Sequence, residues 1–595
     1  MQSISSALSV VLILVSVFTL SVNIQPVKAA GTIYIRADGS IDPPTAPILS
    51  VDNVTYTFTD NTYDEIVVER DNIVVDGGGY ILQGTGSGIG IQLSNRCNVT
   101  VMNMEVRAFQ HGVRLTDSSN NTIYANSVTH NEYGIVLYSS SSNNTLRNNA
   151  ASNNSYNLGV FTDSALGFIQ DIDDSNTVNG KPVYYWVNRQ DMIVPLDAGY
   201  VVLVNCTRIT VRNLTLTNNM QGVALAFTTD STITNNTLAN NFDGIRLDYS
   251  SNNNTISGNT ITATTHYGIR FYSEALIDGP PRNNTICGNT ITNNEDGIRL
   301  DFSSNNTIRT NNVANNKYGI GLYRSSGGNT VSGNNITASW FGLWFHNLPS
   351  SSDWIYHNNF LQNFLHVYPA FPPSMWDAGY PSGGNYWSDY NGVDIYSGPH
   401  QNETGSDGIG DAPYQQDNYP LMKPYPWSAH DMGITRLSMS KTAVGQGTPL
   451  QFNITLFNYG SSTEHFNVTV SANTTLIHTF EDNVLTSRNS TTLTFTWDST
   501  GVPKGNYTVK AEASTVPNET DTADNALTGG WIFVTFPGDV DSDRDVDIFD
   551  IVQMAIIYGT TAGDPEYDPY CDVDSDGDID IFDLVIAAGN YRKSW

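Results

Sequence analysis

Several things are scarce in this chain. Its 595 residues include four cysteines, ten histidines and only 27 Lys plus Arg against 58 Asp plus Glu. Cys97, Cys206, Cys287 and Cys571 lie too far apart to staple small loops and form no CxxC or zinc-type spacing. They are expected as buried free thiols, with Cys97, Cys206 and Cys287 each opening a strand-like segment. A net charge of −31 argues against nucleic acid and anionic membrane surfaces as partners. It also repels highly acidic polymers unless a basic patch or Ca²⁺ bridges them. Long apolar runs are missing after the first 22 residues. The one run, Ala7 to Val22, is followed by Val27-Lys28-Ala29-Ala30 and reads as a secretory signal peptide cut after Ala29 or Ala30, although its start lacks a basic residue. The mature chain is therefore expected to be exported and soluble, with no membrane span.

A single core cannot hold this many residues, so several domains are expected. From about Gly90 to Phe345 the chain repeats itself. One anchor is Gly with alternating apolar residues: Gly90, Gly112, Gly134, Gly222, Gly244, Gly268, Gly297, Gly319 and Gly342. A second is Asn-Asn-Thr-Ile/Leu, starting at Asn120, Asn143, Asn253, Asn283 and Asn305. A short fixed period with alternating strands and no helical periodicity describes a solenoid. Ile and Leu point inward, Gly and Asn make corners, and stacked Asn pairs form hydrogen-bonded ladders. The fold class is mostly β: a right-handed parallel β-helix, then an immunoglobulin-like β-sandwich, then a small helical Ca²⁺-binding module. The ladder accounts for most Asn-x-Thr sequons in the repeat; Asn402, Asn453, Asn467, Asn489, Asn506 and Asn518 lie outside it and are better glycosylation acceptors.

The expected layout is a signal peptide at 1–30, a cap and first coils at 31–89, β-helix repeats at 90–365, a Gly/Asp/aromatic-rich cap at 366–427, a sandwich at 431–536 and the last module at 538–595. An aromatic-rich interruption at 168–200 contains Asn179-Gly-Lys-Pro-Val-Tyr-Tyr-Trp186, after which Val201–Val204 and Asn205–Val211 restore the coil. The interruption with its re-entry, the Asn-Asn-Thr-Ile repeats, Gly384–Tyr390 and Asp407–Tyr414 together resemble the NosD-type repeat family over roughly Ile73 to Met422. That resemblance implies a β-helix of the carbohydrate-binding and sugar-hydrolase (CASH) group. The family name also implies periplasmic copper binding, but the histidines are dispersed. The nearest grouping, His346, His357 and His366, reads as surface and loop residues. Asp389, Asn391, Asp394, Asp407 and Asp411 fit either a structural Ca²⁺ or ordinary turns.

Between 431 and 536, β-rich runs at regular spacing read as about seven strands of a sandwich. Asn458-Tyr-Gly460, Trp497-Asp, Gly505-Asn-Tyr507 and Glu519–Asn525 are similar to a CARDB domain, a spacer or binding module. The final segment carries one acidic loop twice, Asp539–Asp550 and Asp572–Asp583. Asp539, Asp541, Asp543, Asp547 and Asp550 occupy EF-hand positions 1, 3, 5, 9 and 12, with Asp545 at position 7. The second copy places Asp572, Asp574, Asp576, Asp578, Asp580 and Asp583 in the same way. The cofactor expected is Ca²⁺. Position 6 is Gly577 in the second loop but Arg544 in the first, where the sharp turn costs more. The pair resembles a type I dockerin, which implies docking to a cohesin domain of a scaffold or surface protein. Ile548-Phe549 and Ile581-Phe582 would be the docking face.

In the repeated Gly-Ile-Arg-Leu-Asp, Ile and Leu face inward, so Arg and Asp are expected on an exposed stripe. Arg246, Arg270 and Arg299 stack beside Asp248, Tyr272 and Asp301. Just before each Gly stand Asp243, Tyr267, Asp296 and Tyr318, with His266 and Glu295 adjacent. Tyr323, Arg324, Trp340 and Trp344 follow on the same face. Carboxylates for acid–base work, guanidiniums for uronate groups and aromatic platforms for sugar faces are the parts of a polysaccharide site. Asp243, Asp296 and Asp301 are the catalytic candidates; Arg246, His266, Tyr267, Arg270, Arg299 and Trp344 are the substrate-binding ones. Equally, Arg beside Asp neutralises stacked like charges, and the signature runs of pectin hydrolases are absent. Three readings stand: a dockerin-anchored hydrolase or lyase, a non-catalytic glycan-binding adhesin, and an exported NosD-type copper-related protein.

Overall fold

The computed structural model describes residues 31–595 except 163, 273–278, 324–326, 347–351, 370–373, 426–429, 461, 488, 518, 520–521, 523, 565 and 595. The expected signal peptide, Arg324 and Asn518 lie outside the described residues. No helix among the described residues is long and apolar enough to cross a membrane.

Stacked coils run from Thr32–Ile35 to Leu365–Tyr368, and their strands pair in parallel from one coil to the next. The two residues of each Asn pair do different work. The first, as in Asn120, Asn143, Asn253, Asn283 and Asn305, takes φ of 52–58°, a left-handed corner that Asn tolerates better than most residues. The second enters a ladder: Asn254 Nδ2 donates to Asn284 Oδ1 at 3.1 Å, and Asn284 to Asn306 and Asn306 to Asn329 at 3.2 Å. At the next corner Asn236, Asn259, Asn289, Asn311, Asn334, Asn358 and Asn385 form a further row, each Nδ2 donating to the next Oδ1 at 2.9–3.0 Å. The next coil's side-chain oxygen also accepts a backbone N–H, so buried corners stay satisfied. The anchor glycines are not corners. They sit inside strands, where a Cβ on Gly244, Gly268, Gly297 or Gly319 would meet the neighbouring coil's carbonyl at 2.4–2.5 Å.

The coil is not one solenoid. Strands Thr177–Val178 and Lys181–Val187 form an antiparallel hairpin across Asn179-Gly180, whose φ values of 49° and 77° are those of a type I′ turn. Every later strand of the 14-stranded sheet therefore runs opposite to the earlier ones, while coiling proceeds in the same direction. Strand twist fixes the hand of the crossovers, so reversing the strands forces the chain to wrap around the other face of the sheet. Two lobes result, sharing this sheet with cores on opposite sides. Val183, Tyr185, Tyr200, Val202, Val204, Ala224 and Ala226 point into the first lobe's core. Their alternates Val201, Leu203, Val223 and Leu225 point into the second, with Tyr184 and Trp186 packed against it. The expectation that Val201–Val204 restores the original coil is thus corrected: it starts a second coil back to back with the first.

Buried Trp376 and Trp387 close the far end of the second lobe. Trp387 stacks on Phe360 at 4.3 Å, and its Nε1 donates to Asp417 at 2.8 Å. The carboxylates of Asp394, Asp407 and Asp411 accept backbone N–H groups of the same cap, as turn residues do. Residues 432–535 form a three-stranded and a five-stranded sheet around one core containing Leu450, Phe452, Val468 and Trp497. This domain lies on the flank of the second lobe. Arg309 donates to Asp524 at 2.7 Å and to the Tyr459 hydroxyl at 2.6 Å, and that hydroxyl reaches Cys287 Sγ at 3.7 Å. All four cysteines are free; Cys206, Cys287 and Cys571 are buried. Cys287 ends its strand rather than opening it. The C-terminal segment has two short helices, Ile548–Ile556 and Ile581–Asn590, and is tied to the two-sheet domain where Lys441 Nζ donates to Asp572 O at 2.7 Å.

The other Asn row ends on a carboxyl. Asp353 Oδ1 accepts from the backbone N and Nδ2 of Asn329 at 2.8 and 3.2 Å, but its buried Oδ2 has no partner. Burial pushes this carboxyl up to about 6, against the pull of the Asn329 bonds. A raised native pKa favours folding below the unfolded value of ~3.8 and loses that contribution as pH rises through about 6. Asp353→Asn, which restores the amide, is expected to stabilise the protein by about 1–3 kcal/mol above pH 7. The gain should fade between pH 6 and 4 in thermal unfolding.

Candidate functional site

The outer face of the second lobe's share of the sheet is a floor, and the first lobe stands on one end of it. The first lobe's last coil strand, Tyr156–Phe161, meets the floor through Asn157 N donating to Asn218 O at 2.6 Å and Met220 N to Leu158 O at 3.1 Å. Its aromatics continue onto the second lobe: Tyr156 and Phe161 pack edge-on to Phe242 at 5.5 and 6.1 Å, and Phe242 contacts His266 at 4.1 Å. The Tyr156 and Thr265 hydroxyls are hydrogen-bonded.

This wall divides the charged stripe. The sequence reading placed all of it in solvent; the structure buries much of it. On strand Asp243–Asp248 every residue is buried. Arg246 makes a two-pronged bond to Asp248 at 2.7 and 2.9 Å and lies 4.9 Å from the Phe161 ring centre, beneath the first lobe. Asp243 is 0% exposed, and neither of its oxygens has a hydrogen-bond partner. Burial raises its pKa, opposed by Arg246 and Arg270. These residues sit at the lobe junction, out of solvent.

Beyond the wall the stripe opens. Tyr267 and Arg270 on the next coil are half-buried. The Arg270 guanidinium lies 4.5 and 4.3 Å from the Tyr267 and Tyr272 ring centres, 3.5 Å from Asp301, and its Nε has no hydrogen-bond partner. One coil further on, Asp296 pairs in register with Tyr267. Arg299 donates to Asp301 at 3.0 and 3.1 Å and to the Tyr267 hydroxyl at 3.3 Å, and stands 3.6 Å from Asp296. Asp296 Oδ2 is buried without a hydrogen-bond partner. Burial is the main force pushing Asp296 up to about 7; Arg299 opposes it, while Glu295 and Asp301 add to it. Burial also raises the Tyr267 phenol. Then comes an aromatic row: Tyr318 on Trp344 at 3.9 Å, Tyr318 on Phe341 at 5.6 Å, Phe341 on Tyr368 at 4.5 Å and, beside them, Trp340 on Phe364 at 4.6 Å.

So Tyr267, Arg270, Asp296, Arg299 and Asp301 come together, His266 lies at the foot of the wall and Trp344 belongs to the row. Asp243 and Arg246 are set apart beneath the first lobe. Tyr156, Phe161, Phe242 and Phe364 were not legible as site residues. Phe242 does stand two before an anchor Gly, and Phe364 takes the same place one coil after Trp340, before His366, but Tyr156 and Phe161 are brought in by the other lobe.

A second cluster lies in the C-terminal loops. Ligand oxygens of Asp539, Asp541 and Asp543 fall within 4.8 Å of one another, as do those of Asp572, Asp574 and Asp576, and of Asp578, Asp580 and Asp583. Among the described residues these acidic triplets are the only metal-sized groups, and no histidine joins them. His366, expected at the surface, is in fact buried, 3.1 Å from Asp389. Asp550 and Asp583 bind backbone N–H groups with both oxygens, tying loop start to helix start. Asp547 and Asp580 cap the helices. Oδ1 of Asp539, Asp545, Asp572 and Asp578 is buried without a hydrogen-bond partner, in equivalent places in the two loops. Hard, crowded oxygens with such vacant lone pairs fit a hard divalent cation. Ile548, Phe549, Ile581 and Phe582 are 52–69% exposed.

A family model described as periplasmic copper-binding protein (NosD) matches residues 169–278 and 275–392, and a model of right-handed β-helix regions matches residues 22–172. The chain is thus a right-handed β-helix protein through most of its first 392 residues. No curated protein matches it. The CARDB domain of a Pyrococcus furiosus protein, crystallised with two metal ions, is similar over 19% of this chain and 98% of that one (21% identity, TM-score 0.17). The A-module of an Azotobacter vinelandii mannuronan C-5 epimerase is similar over 58% of this chain and 89% of that one (15% identity, TM-score 0.28). A DFA-IIIase from Arthrobacter chlorophenolicus A6 is similar over 46% and 63% (15% identity, TM-score 0.20).

Arg544 holds φ 86° where its counterpart Gly577 holds 99°. A non-Gly residue there carries left-handed strain, offset in part by the entropy glycine loses on folding. Arg544→Gly is expected to stabilise the C-terminal module by about 0.5–1 kcal/mol in thermal unfolding, in EDTA and in excess Ca²⁺ alike.

Proposed function

We propose that this is an exported polysaccharide-active protein whose second lobe works on an acidic glycan. The observation that carries this reading is Asp296. It is a buried carboxyl with an unpartnered oxygen, pushed up to about 7 by burial, one coil from the Arg270 guanidinium and at the head of an aromatic row. A carboxyl poised there can move a proton near neutral pH. Arg270 suits a uronate carboxylate, and the row suits sugar faces.

Of the two reactions considered, elimination fits better than hydrolysis. Hydrolysis needs two carboxylates flanking the bond. Here Asp301 is engaged by Arg270 and Arg299, and Asp243 is sealed beneath the first lobe. Elimination needs one base and a cation on the uronate carboxylate. Asp296 removes the C5 proton, the C4–O bond breaks, and the Tyr267 hydroxyl, held by Arg299, returns a proton to the leaving oxygen. The product is an unsaturated uronate.

Under the same proposal, the two-sheet domain is an immunoglobulin-like, CARDB-type spacer that holds the lobe and the C-terminal segment together. That segment is a dockerin whose two loops each take a Ca²⁺, through Asp539, Asp541, Asp543, Asp547 and Asp550 and their counterparts Asp572, Asp574, Asp576, Asp580 and Asp583. Asp545 and Asp578 add buried oxygens. The exposed Ile548-Phe549 and Ile581-Phe582 pairs form a docking face for a cohesin domain. A periplasmic or extracellular location accords with the leader-like start of the sequence and with the description of the matching family. The copper-related reading gains nothing from the side chains, since no histidine joins a metal-sized group among the described residues. A purely binding role has one specific support, the aromatic row itself.

Residues 31–595 with Ca²⁺ are to be incubated with acidic and neutral polysaccharides, following unsaturated uronate absorbance and new reducing ends. Activity on acidic polymers should rise with pH through about 7, as Asp296 loses its proton, and fall about 10²–10⁴-fold in Asp296→Asn. Retention on the polymer without products would make the lobe a tethered binding module. Products unchanged in Asp296→Asn would remove this residue from the chemistry. Paired Phe549→Glu and Phe582→Glu substitutions should abolish capture by a cohesin domain in Ca²⁺ while leaving polysaccharide turnover intact.

A further inference from the structure

The groove has one closed end. Its floor is the outer face of the strands from Asp243–Asp248 to Leu365–Tyr368, and its axis runs across them from coil to coil. At the Asp243 strand the first lobe sits on the floor, with Tyr156 and Phe161 as its edge and the second lobe's Phe242 packed against them. Nothing can pass beneath it, because that strand is buried on both faces. The first coil open to solvent carries Tyr267 and Arg270, and Asp296 lies one coil beyond. One coil step of ~4.8 Å is about the length of one pyranose residue. The closed side of Asp296 therefore has room for a single sugar.

The other side is different. Three further coils follow, bearing Tyr318, then Phe341 and Trp344, then Tyr368, paired in register. Trp340 and Phe364, stacked at 4.6 Å and 56% and 67% exposed, flank the far end, which is open among the described residues. Stacked rings at such exposure are platforms for sugar faces. The space beside Asp296 is thus unequal: one residue towards the wall, about three away from it.

We propose that the groove binds the end of an acidic glycan and not its interior. The terminal sugar stops against Tyr156, Phe161 and Phe242, its carboxylate meets Arg270, and the chain runs over Tyr318 and Phe341 towards Trp340 and Phe364. This inference rests on the carbohydrate reading of the groove and adds that only chain ends enter. A groove crossed by the middle of a polymer would need two open ends.

The test is binding by mature protein (31–595, Ca²⁺ present) of oligogalacturonates and oligomannuronates of two to eight residues and of their polymers. Each is prepared with free ends, with a bulky fluorophore on the reducing end, and with the opposite end blocked. Affinity expressed per chain end should be equal for the hexamer and the polymer, and blocking one particular end should weaken it at least tenfold. Trp340→Ala with Phe364→Ala should weaken hexamer binding at least fivefold and leave the dimer unaffected. Tyr156→Ala with Phe161→Ala, if folded, should restore binding of the blocked chains. Binding that grows with the number of internal residues and ignores both blocks would overturn the end-directed site while leaving the carbohydrate reading intact. Failure to bind any of these probes would sink both together.

Discussion

The two-lobed form of the β-helix follows from two backbone conformations at Asn179-Gly180. A left-handed pair of residues turns one strand back along its neighbour. The hand of a parallel coil is set by strand twist and does not change within the chain. Reversed strands with unchanged hand can only wrap the opposite face. The core therefore changes sides, and residues that would otherwise face solvent on the second lobe's first coils, such as Val202 and Ala224, become the floor of the first lobe's core. The step where the first lobe ends is the wall of the groove. A solenoid without the reversal would have an unbroken outer face and no such corner.

That corner explains how near-identical repeat units come to differ in chemistry. Asp243-Gly-Ile-Arg-Leu-Asp248 and Asp296-Gly-Ile-Arg-Leu-Asp301 are the same six residues. Under the first lobe the first copy is sealed, its Arg246 clamped between Asp248 and the Phe161 ring. Beyond the lobe the second copy keeps its carboxyl buried, while its arginine and the adjacent tyrosine reach solvent. Desolvation without a full set of hydrogen bonds lifts Asp296 towards neutrality. The neighbouring Asp301, gripped by two guanidiniums, is spoken for.

The flank and the far end obey a second constraint, that buried polar groups be paired. The Asn rows satisfy each corner by borrowing from the next coil, so the last coil needs a terminator. Asp353 and the Asp417–Trp387 cap supply it, with burial raising both carboxyls. The two-sheet domain covers coil residues that a free solenoid would leave wet, with the half-buried Arg309 as the bolt to Asp524 and Tyr459. Through Lys441 the same domain touches the acidic loops.

Much of this was legible in the sequence because it is periodic or local. Alternation placed Ile245, Leu247, Ile298 and Leu300 in the core, since inward and outward positions follow from strand geometry alone. Paired asparagines announced the ladders, and the spacing of Asp539–Asp550 and Asp572–Asp583 brought carboxylates together without help from distant residues. The glycines were read as corners, although the neighbouring coil's carbonyl, not the backbone angle, demands them. What only the tertiary structure decided is which face of the shared sheet is inside, which copy of the repeat stays open, and what covers the other. Asn179-Gly180 was visible as letters, but its consequence depends on the coil around it. Burial of Asp243 and Arg246 comes from Tyr156 and Phe161, more than eighty residues earlier, and no pattern within the repeat encodes a contact made by another lobe.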